Sequence, residues 1–286
     1  MGMPELLTPR TAAGRDALAA LLAAPRESVV GLDFDGTLAP IVADPARARA
    51  HPGVVPALSA LAPLVGAVVV VTGRPAAVAV EYGGFADAPG LEHLTVLGHY
   101  GAERWDAATK ETTAPEPPAG VAAVRAELPA VLAAASAPPG TWTEDKGRAL
   151  AVHTRRADRP DEALELLRAP LAALAAAHGL MVEPGRMVLE LRPPGVDKGA
   201  ALTGFLAGRP LRTVLYVGDD LGDLPAYEAV ERRRGEGLPG LLVCSATTGG
   251  EAPVGALADR ADLVVPGPAG VVELLAALAD GLSRAR

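Results

Sequence analysis

Cysteine and lysine are almost missing from this chain. The single cysteine, Cys244, excludes an intramolecular disulfide and any cage of cysteine ligands around a metal, and it fits a reducing compartment. Of the 26 basic residues only Lys110, Lys146 and Lys198 are lysines, so a lysine at a motif position carries more weight here than in an ordinary chain. Aromatic residues make up 3%, and Trp105 and Trp142 stand too far from other aromatics in the sequence to form a sugar-stacking platform. Long apolar runs are also lacking. The longest, near Leu64 to Val71, falls well short of the ~20 residues that span a bilayer, and the first residues lack the continuous apolar core of a signal peptide. These absences predict a soluble, cytoplasmic protein without a membrane partner. The formal net charge of −8 repels phosphate backbones, and no basic stripe offsets it, which argues against nucleic acid as a partner.

What is present is half hydrophobic and 286 residues long, enough for about two domains by the soft prior of ~150 residues each. Ser28 to Phe34, Val68 to Thr72 and Arg212 to Val217 are continuous apolar runs rich in β-branched residues, the pattern of strands buried on both faces. Leu241 to Cys244 and Asp262 to Val265 are shorter candidates. Helical patterns lie between them at Pro52 to Leu64, Pro75 to Tyr82, Lys198 to Ala207, Leu221 to Val230 and Pro268 to Leu282. This alternation predicts an α/β fold with a doubly wound parallel sheet. The middle differs: between Pro/Gly clusters, helices at Val121 to Ala135 and Asp161 to His178 each precede two short strands, which predicts a small inserted α+β domain.

Ligands of a parallel sheet bind outside the carboxyl ends of its strands, and four polar clusters fall at such ends. In Asp33-Phe34-Asp35-Gly36-Thr37, alternation aims two carboxylates to one side. One can attack phosphorus and the other can protonate a leaving alkoxide. Standing alone, the motif also reads as a strand exit capped by Asp before a glycine turn. Thr72-Gly73-Arg74-Pro75 offers a hydroxyl and N–H groups at a helix start, suited to a phosphate oxygen or simply to N-capping. Lys198, following Asp197 at another helix start, supplies a point charge for phosphate. Asp219, Asp220 and Asp223 crowd three acids into five residues, which is unfavourable without a cation. Oxygen donors without Cys or His point to magnesium rather than zinc, a solvated acidic loop being the competing reading.

In this order the clusters resemble the haloacid dehalogenase superfamily of phosphatases, patterned DxDGT, an apolar strand ending in Thr or Ser, then Lys, then GDDxxxD. The resemblance implies a Rossmann-like core at 1–108 and 194–286 and a C2-type cap at 109–193. It implies that Asp33 is the nucleophile, Asp35 the general acid and base, and Thr72, Gly73 and Lys198 the phosphate-binding groups. Mg2+ would be held by Asp33, the backbone carbonyl of Asp35 and Asp219, with Asp220 and Asp223 supporting the metal or its waters.

Further segments, Gly98 to Glu103, Glu144-Asp145-Lys146, Val152 to Asp158 and Gly185 to Pro193, resemble the trehalose-6-phosphate phosphatases. Glu144, Lys146, Arg186 and Glu190 fall on that family's sugar-contacting positions, where a disaccharide needs both donors and acceptors. A surface ion pair is the competing reading of Glu144 and Lys146. Arg186 replaces the family's usual Lys, and the fourth motif reads GDDLGDLPAY rather than GDDxTDE. His99 is expected to shape a turn, and His153 either reaches substrate or packs on a strand. The expected activity is Mg-dependent hydrolysis of trehalose 6-phosphate through an aspartyl phosphate, with that small molecule as the only implied partner. Alternatives are a related phosphatase for another sugar phosphate or glycosyl phosphoglycerate, a sugar phosphomutase, and a silent sugar-phosphate sensor.

Overall fold

A computed structural model describes residues 7–42, 44–116, 118–185, 187–246 and 255–284. Contacts divide the chain into two units, Met1–Ala114 with Asp197–Arg286, and Pro115–Val196. The first unit opens with α1 (Ala12–Ala23), β1 (Ser28–Leu32), α2 (Val54–Leu61), β2 (Ala67–Val71), α3 (Ala76–Gly83), β3 (Leu94–Gly98), β4 (Glu103–Asp106) and β5 (Glu111–Thr113). The second holds α4 (Ala119–Ala134), β6 (Trp142–Asp145), β7 (Leu150–His153), α5 (Pro160–Ala177), β8 (Met181–Gly185) and β9 (Val188–Arg192). The chain then completes the first unit with α6 (Lys198–Leu206), β10 (Thr213–Gly218), α7 (Leu224–Gly235), β11 (Gly240–Ala246), α8 (Gly255–Arg260), β12 (Leu263–Pro266) and α9 (Gly267–Arg284).

The strands of the first unit form one sheet in the order β12-β11-β10-β1-β2-β3-β4-β5, parallel from β12 to β3 and antiparallel at β4 and β5. Every residue of β1, β2 and β10 is buried, because successive side chains enter opposite layers. Val30, Leu32, Val70 and Val217 pack with α1, α2, α3 and α9. Val29, Val69, Val214 and Tyr216 pack with α6, α7 and α8. This is the doubly wound sheet expected from the alternation and the Rossmann-like core implied by the family resemblance.

In the second unit β6-β7-β9-β8 form an antiparallel sheet. Leu150, Val152, Leu189 and Leu191 pack one of its faces against Val124 and Leu128 of α4 and Leu167 and Leu171 of α5. Two stretches lie outside their expected domains. Residues 109–114, placed in the cap by the family resemblance, contain β5, which pairs with β4 on the edge of the large sheet; its three exposed residues carry no apolar alternation to announce a strand. Residues 194–196 fall with the insert instead of the core. The helix expected from Leu221 begins as a short 3-10 turn closed by an Asp220/Asp223 capping box, with α7 starting at Leu224.

Candidate active site

β1 and β10 are adjacent parallel strands from which the chain proceeds in opposite directions across the sheet, the switch point at which α/β sheets bind ligands. Asp33 follows β1 and Asp219 follows β10. The Asp33 N–H donates to the Val217 carbonyl at 2.9 Å, carrying the parallel register one residue past the strand end. Lys198 enters from the first turn of α6, where Asp197 caps the helix by accepting the Ala200 N–H at 2.7 Å. Its ammonium pairs with Asp33 Oδ1 at 2.6 Å and Asp223 Oδ1 at 2.8 Å, and all three side chains are buried.

Asp223 is fully occupied. Its Oδ1 accepts from Lys198 and from the Tyr216 hydroxyl at 2.7 Å, and its Oδ2 accepts from the backbone N–H groups of Asp219 and Asp220 at 3.0 and 3.3 Å. Those four donors use the four acceptor sites of a carboxylate. One oxygen each of Asp33, Asp219 and Asp223 lie within 4.8 Å of one another, but a saturated Asp223 serves better as the anchor of Lys198 and of the loop than as a metal ligand. Asp219 is the opposite case: its Oδ1 is buried and takes no hydrogen bond among the described residues. Asp33 Oδ2 likewise receives none from the described residues.

The electrostatics reflect an excess of acids. Burial raises the Asp33 carboxyl well above the ordinary aspartate range; Lys198 opposes the rise, and Asp223 and Asp220 add to it. Asp219 is raised by burial and then by Asp33 and Asp223. Burial works against the charge on Lys198, but Asp223 and Asp33 outweigh it and hold its pKa well above the usual value. A divalent cation beside Asp33 and Asp219 reverses the cost of both charges. An orphaned buried carboxylate oxygen in an all-oxygen donor set fits a hard cation such as magnesium.

Asp35 does not join that carboxylate cluster. Both of its oxygens accept hydrogen bonds from Arg74, each at 2.7 Å, so any part it takes in metal binding falls to its backbone carbonyl. Gly36 turns the loop with φ +80°, and a β-carbon there would overlap the Asp219 carboxylate. The buried Ser245 hydroxyl, at the end of β11, donates to the Gly36 carbonyl at 2.7 Å and ties this loop to the sheet. Thr72, buried at the end of β2, accepts the Arg74 N–H at 3.1 Å and keeps its own proton to donate. Gly73 lies under Tyr100, whose hydroxyl a β-carbon would meet at 2.6 Å. His99 and Tyr100 hold left-handed backbone angles, φ 48° and 56°, and their N–H groups donate to the carbonyls of Arg74 and Thr72. His99 thus shapes the turn, and Glu103 caps α3 by accepting the Ala76 N–H at 2.8 Å.

In the insert, cross-strand register places Trp142, Glu144, His153 and Glu190 on the face of the small sheet away from α4 and α5. Glu144 Oε2 pairs with His153 Nε2 at 2.9 Å, and Lys146 pairs with Glu190. Glu183 and Glu190 stand opposite each other, and Arg192 on Glu183 at 2.9 Å and Lys146 on Glu190 relieve that repulsion. Trp142 stacks on His153 with ring centroids 4.0 Å apart, so it is not isolated; the register of β6 and β7 makes the pair. Arg186 lies outside the described residues.

Sequence reasoning gave no role to Arg74, Tyr216 or Ser245. Arg74 lies within the Thr72 to Pro75 cluster, and Ser245 is a polar residue at the end of an apolar run, the same pattern that marks the other clusters.

Comparison with known proteins bears on the family. A family model described as trehalose-phosphatase matches residues 31–261. The chain belongs to the trehalose-phosphatase family. It is 34% identical over 236 residues to a probable trehalose-phosphate phosphatase of Sinorhizobium fredii, covering 81% of this chain and 84% of that protein. It is 31% identical over 206 residues to the trehalose-6-phosphate phosphatase of Escherichia coli, covering 71% and 73%. Among solved structures it is similar to the C-terminal domain of the C. albicans trehalose-6-phosphate phosphatase, with TM-score 0.73, 22% identity and coverage of 97% and 99%. A haloacid dehalogenase-like hydrolase from Bacteroides thetaiotaomicron superposes with TM-score 0.58 at 17% identity, covering 87% and 98%. These two likenesses establish the fold, a haloacid dehalogenase-like core with an inserted domain; the family makes the chain a phosphatase. Among the described residues, no helix is long and apolar enough to cross a membrane.

Proposed function

We propose that the chain hydrolyses trehalose 6-phosphate to trehalose and phosphate in two displacements at phosphorus. Asp33 attacks the phosphoryl group, the bond from phosphorus to the sugar oxygen breaks, and Asp35 gives that oxygen its proton. Asp35 then takes a proton from water, whose oxygen attacks phosphorus and releases Asp33. The observation that carries this reading is the buried Asp33–Lys198–Asp223 array, which holds Asp33 by one oxygen and leaves the other without a donor among the described residues.

Thr72, Gly73 and Lys198 hold the transferring phosphoryl group by hydroxyl, N–H and ammonium donors. Asp33, Asp219 and the Asp35 carbonyl would hold magnesium, which when bound offsets the charge of the phosphoryl oxygens and of the crowded carboxylates. Glu144, Lys146, Arg186 and Glu190 supply the donors and acceptors that a polyhydroxylated sugar needs. A cytoplasmic location completes the proposal, and the single buried Cys244 fits that reducing compartment.

The test is phosphate release from a panel of sugar phosphates, with magnesium and with chelator. Preferred turnover of trehalose 6-phosphate, abolished by chelation and restored by magnesium, is expected. A clear preference for glucose 6-phosphate would overturn the substrate assignment, isomer formation without phosphate release would indicate a mutase, and full activity in chelator would remove the metal.

A further inference from the structure

Arg74 lies between Thr72 and the start of α3. Its Nε donates to Asp35 Oδ2 and its Nη2 to Asp35 Oδ1, both at 2.7 Å. Such a fork fixes the plane of a carboxylate as well as its position, which a lysine ammonium cannot do. Arg74 is itself held. Its guanidinium carbon lies 5.7 Å from the Phe34 ring centroid and 5.3 Å from that of Tyr82. Its N–H donates to Thr72 Oγ1 at 3.1 Å, and its carbonyl accepts from the His99 N–H at 2.9 Å. The Arg74 side chain is 12% exposed against 34% for Asp35, so the clamp is the fixed partner and the carboxylate the accessible one.

The two bonds use two of the four acceptor sites of the carboxylate, one on each oxygen, and leave the others for a proton in transit. The nearby acids also demand such a clamp. Asp33, Asp219, Asp220 and Asp223 crowd this end of the sheet with negative charge, and an unclamped Asp35 would turn from them or toward a bound cation. We propose that Arg74 is the positioning residue of Asp35, fixing the orientation from which Asp35 delivers a proton to the leaving oxygen and later takes one from water. The proposal rests on the reading of Asp35 as the leaving-group acid.

A group that orients an acid matters in proportion to how much the leaving group needs a proton. A sugar alkoxide needs it greatly; an aryl oxide hardly does. The experiment measures kcat and KM of wild type, Arg74→Ala, Arg74→Lys and Asp35→Asn with p-nitrophenyl phosphate and with the sugar phosphate the wild type turns over best. Arg74→Ala should lose on the order of 100-fold in kcat/KM on the sugar phosphate, through kcat with little change in KM, and far less on the aryl phosphate. Arg74→Lys should fall between, and added guanidinium should restore part of the activity of Arg74→Ala but none to Asp35→Asn.

Equal losses on both substrates without rescue would overturn the proposal, showing that Arg74 serves the fold or phosphate binding. If Arg74→Ala does not fold, the leaving-group dependence of Arg74→Lys decides by the same criterion. The two readings fail differently. An Asp35→Asn enzyme whose loss is independent of the leaving group overturns the role of Asp35 itself. An Asp35→Asn enzyme that shows the dependence, beside an Arg74→Ala enzyme that does not, overturns only the positioning role.

Discussion

Asp219 and Asp223 sit four residues apart on one loop and do opposite work. Four donors saturate Asp223, so its charge is compensated by the protein; Asp219 keeps a buried oxygen that no donor among the described residues meets. With metal chelated, burial and the neighbouring Asp33 and Asp223 raise the Asp219 carboxyl above the ordinary aspartate value. Between the ordinary and raised values the folded chain binds more protons than the unfolded chain, so stability falls as pH rises across that interval. Asp219→Asn removes this penalty. In chelator the variant should melt above wild type in alkaline buffer, by about 2–4 °C for each kcal/mol regained, with the gap closing as the pH is lowered, and it should lose phosphatase activity. A variant that melts below wild type at every pH would show that the carboxylate stabilises the fold without metal. The residues that carry charge were legible because spacing at strand ends marks them. Their pairings were not, since Arg74 and Asp35 are 39 residues apart and meet only when β1 and β2 lie side by side.

Among elements, the loop after β1 is the most constrained. Gly36 bends it with φ +80°, makes room for the Asp219 carboxylate and offers its carbonyl to Ser245. Gly36→Ala should cost roughly 1–2 kcal/mol for the left-handed backbone alone and should push Asp219 aside. Denaturant unfolding and calorimetric titration of magnesium are expected to show both a lower midpoint and weakened binding. Unchanged magnesium affinity would separate Asp219 from the metal. Buried strands such as β1, β2 and β10 were legible from their apolar runs, but α1, β3, β4 and β5 were not marked. β4 reads Glu103-Arg104-Trp105-Asp106 and β5 is exposed throughout, so edge pairing rather than hydrophobic patterning makes them strands, and the insert boundary moved with them.

At the scale of the molecule, the first unit is assembled from both ends of the chain. β1 from the first segment and β10 from the last become neighbours, and that pairing brings Asp33 to Asp219 and Lys198. The intervening unit keeps its own core of Val124, Leu150, Leu167 and Leu189, which is why its α, β, β pattern stood apart in the sequence. On the proposed mechanism this convergence makes Asp33 the nucleophile. On that mechanism, replacing Asp35 by Asn leaves Asp33 in place but removes the group that would activate water, and an aryl phosphate needs little help from an acid to leave. Rapid-quench mass spectrometry of Asp35→Asn with p-nitrophenyl phosphate should therefore find one added phosphoryl group, on the peptide that contains Asp33. A phosphoryl group on a serine or histidine, or full activity in Asp33→Asn, would contradict the account.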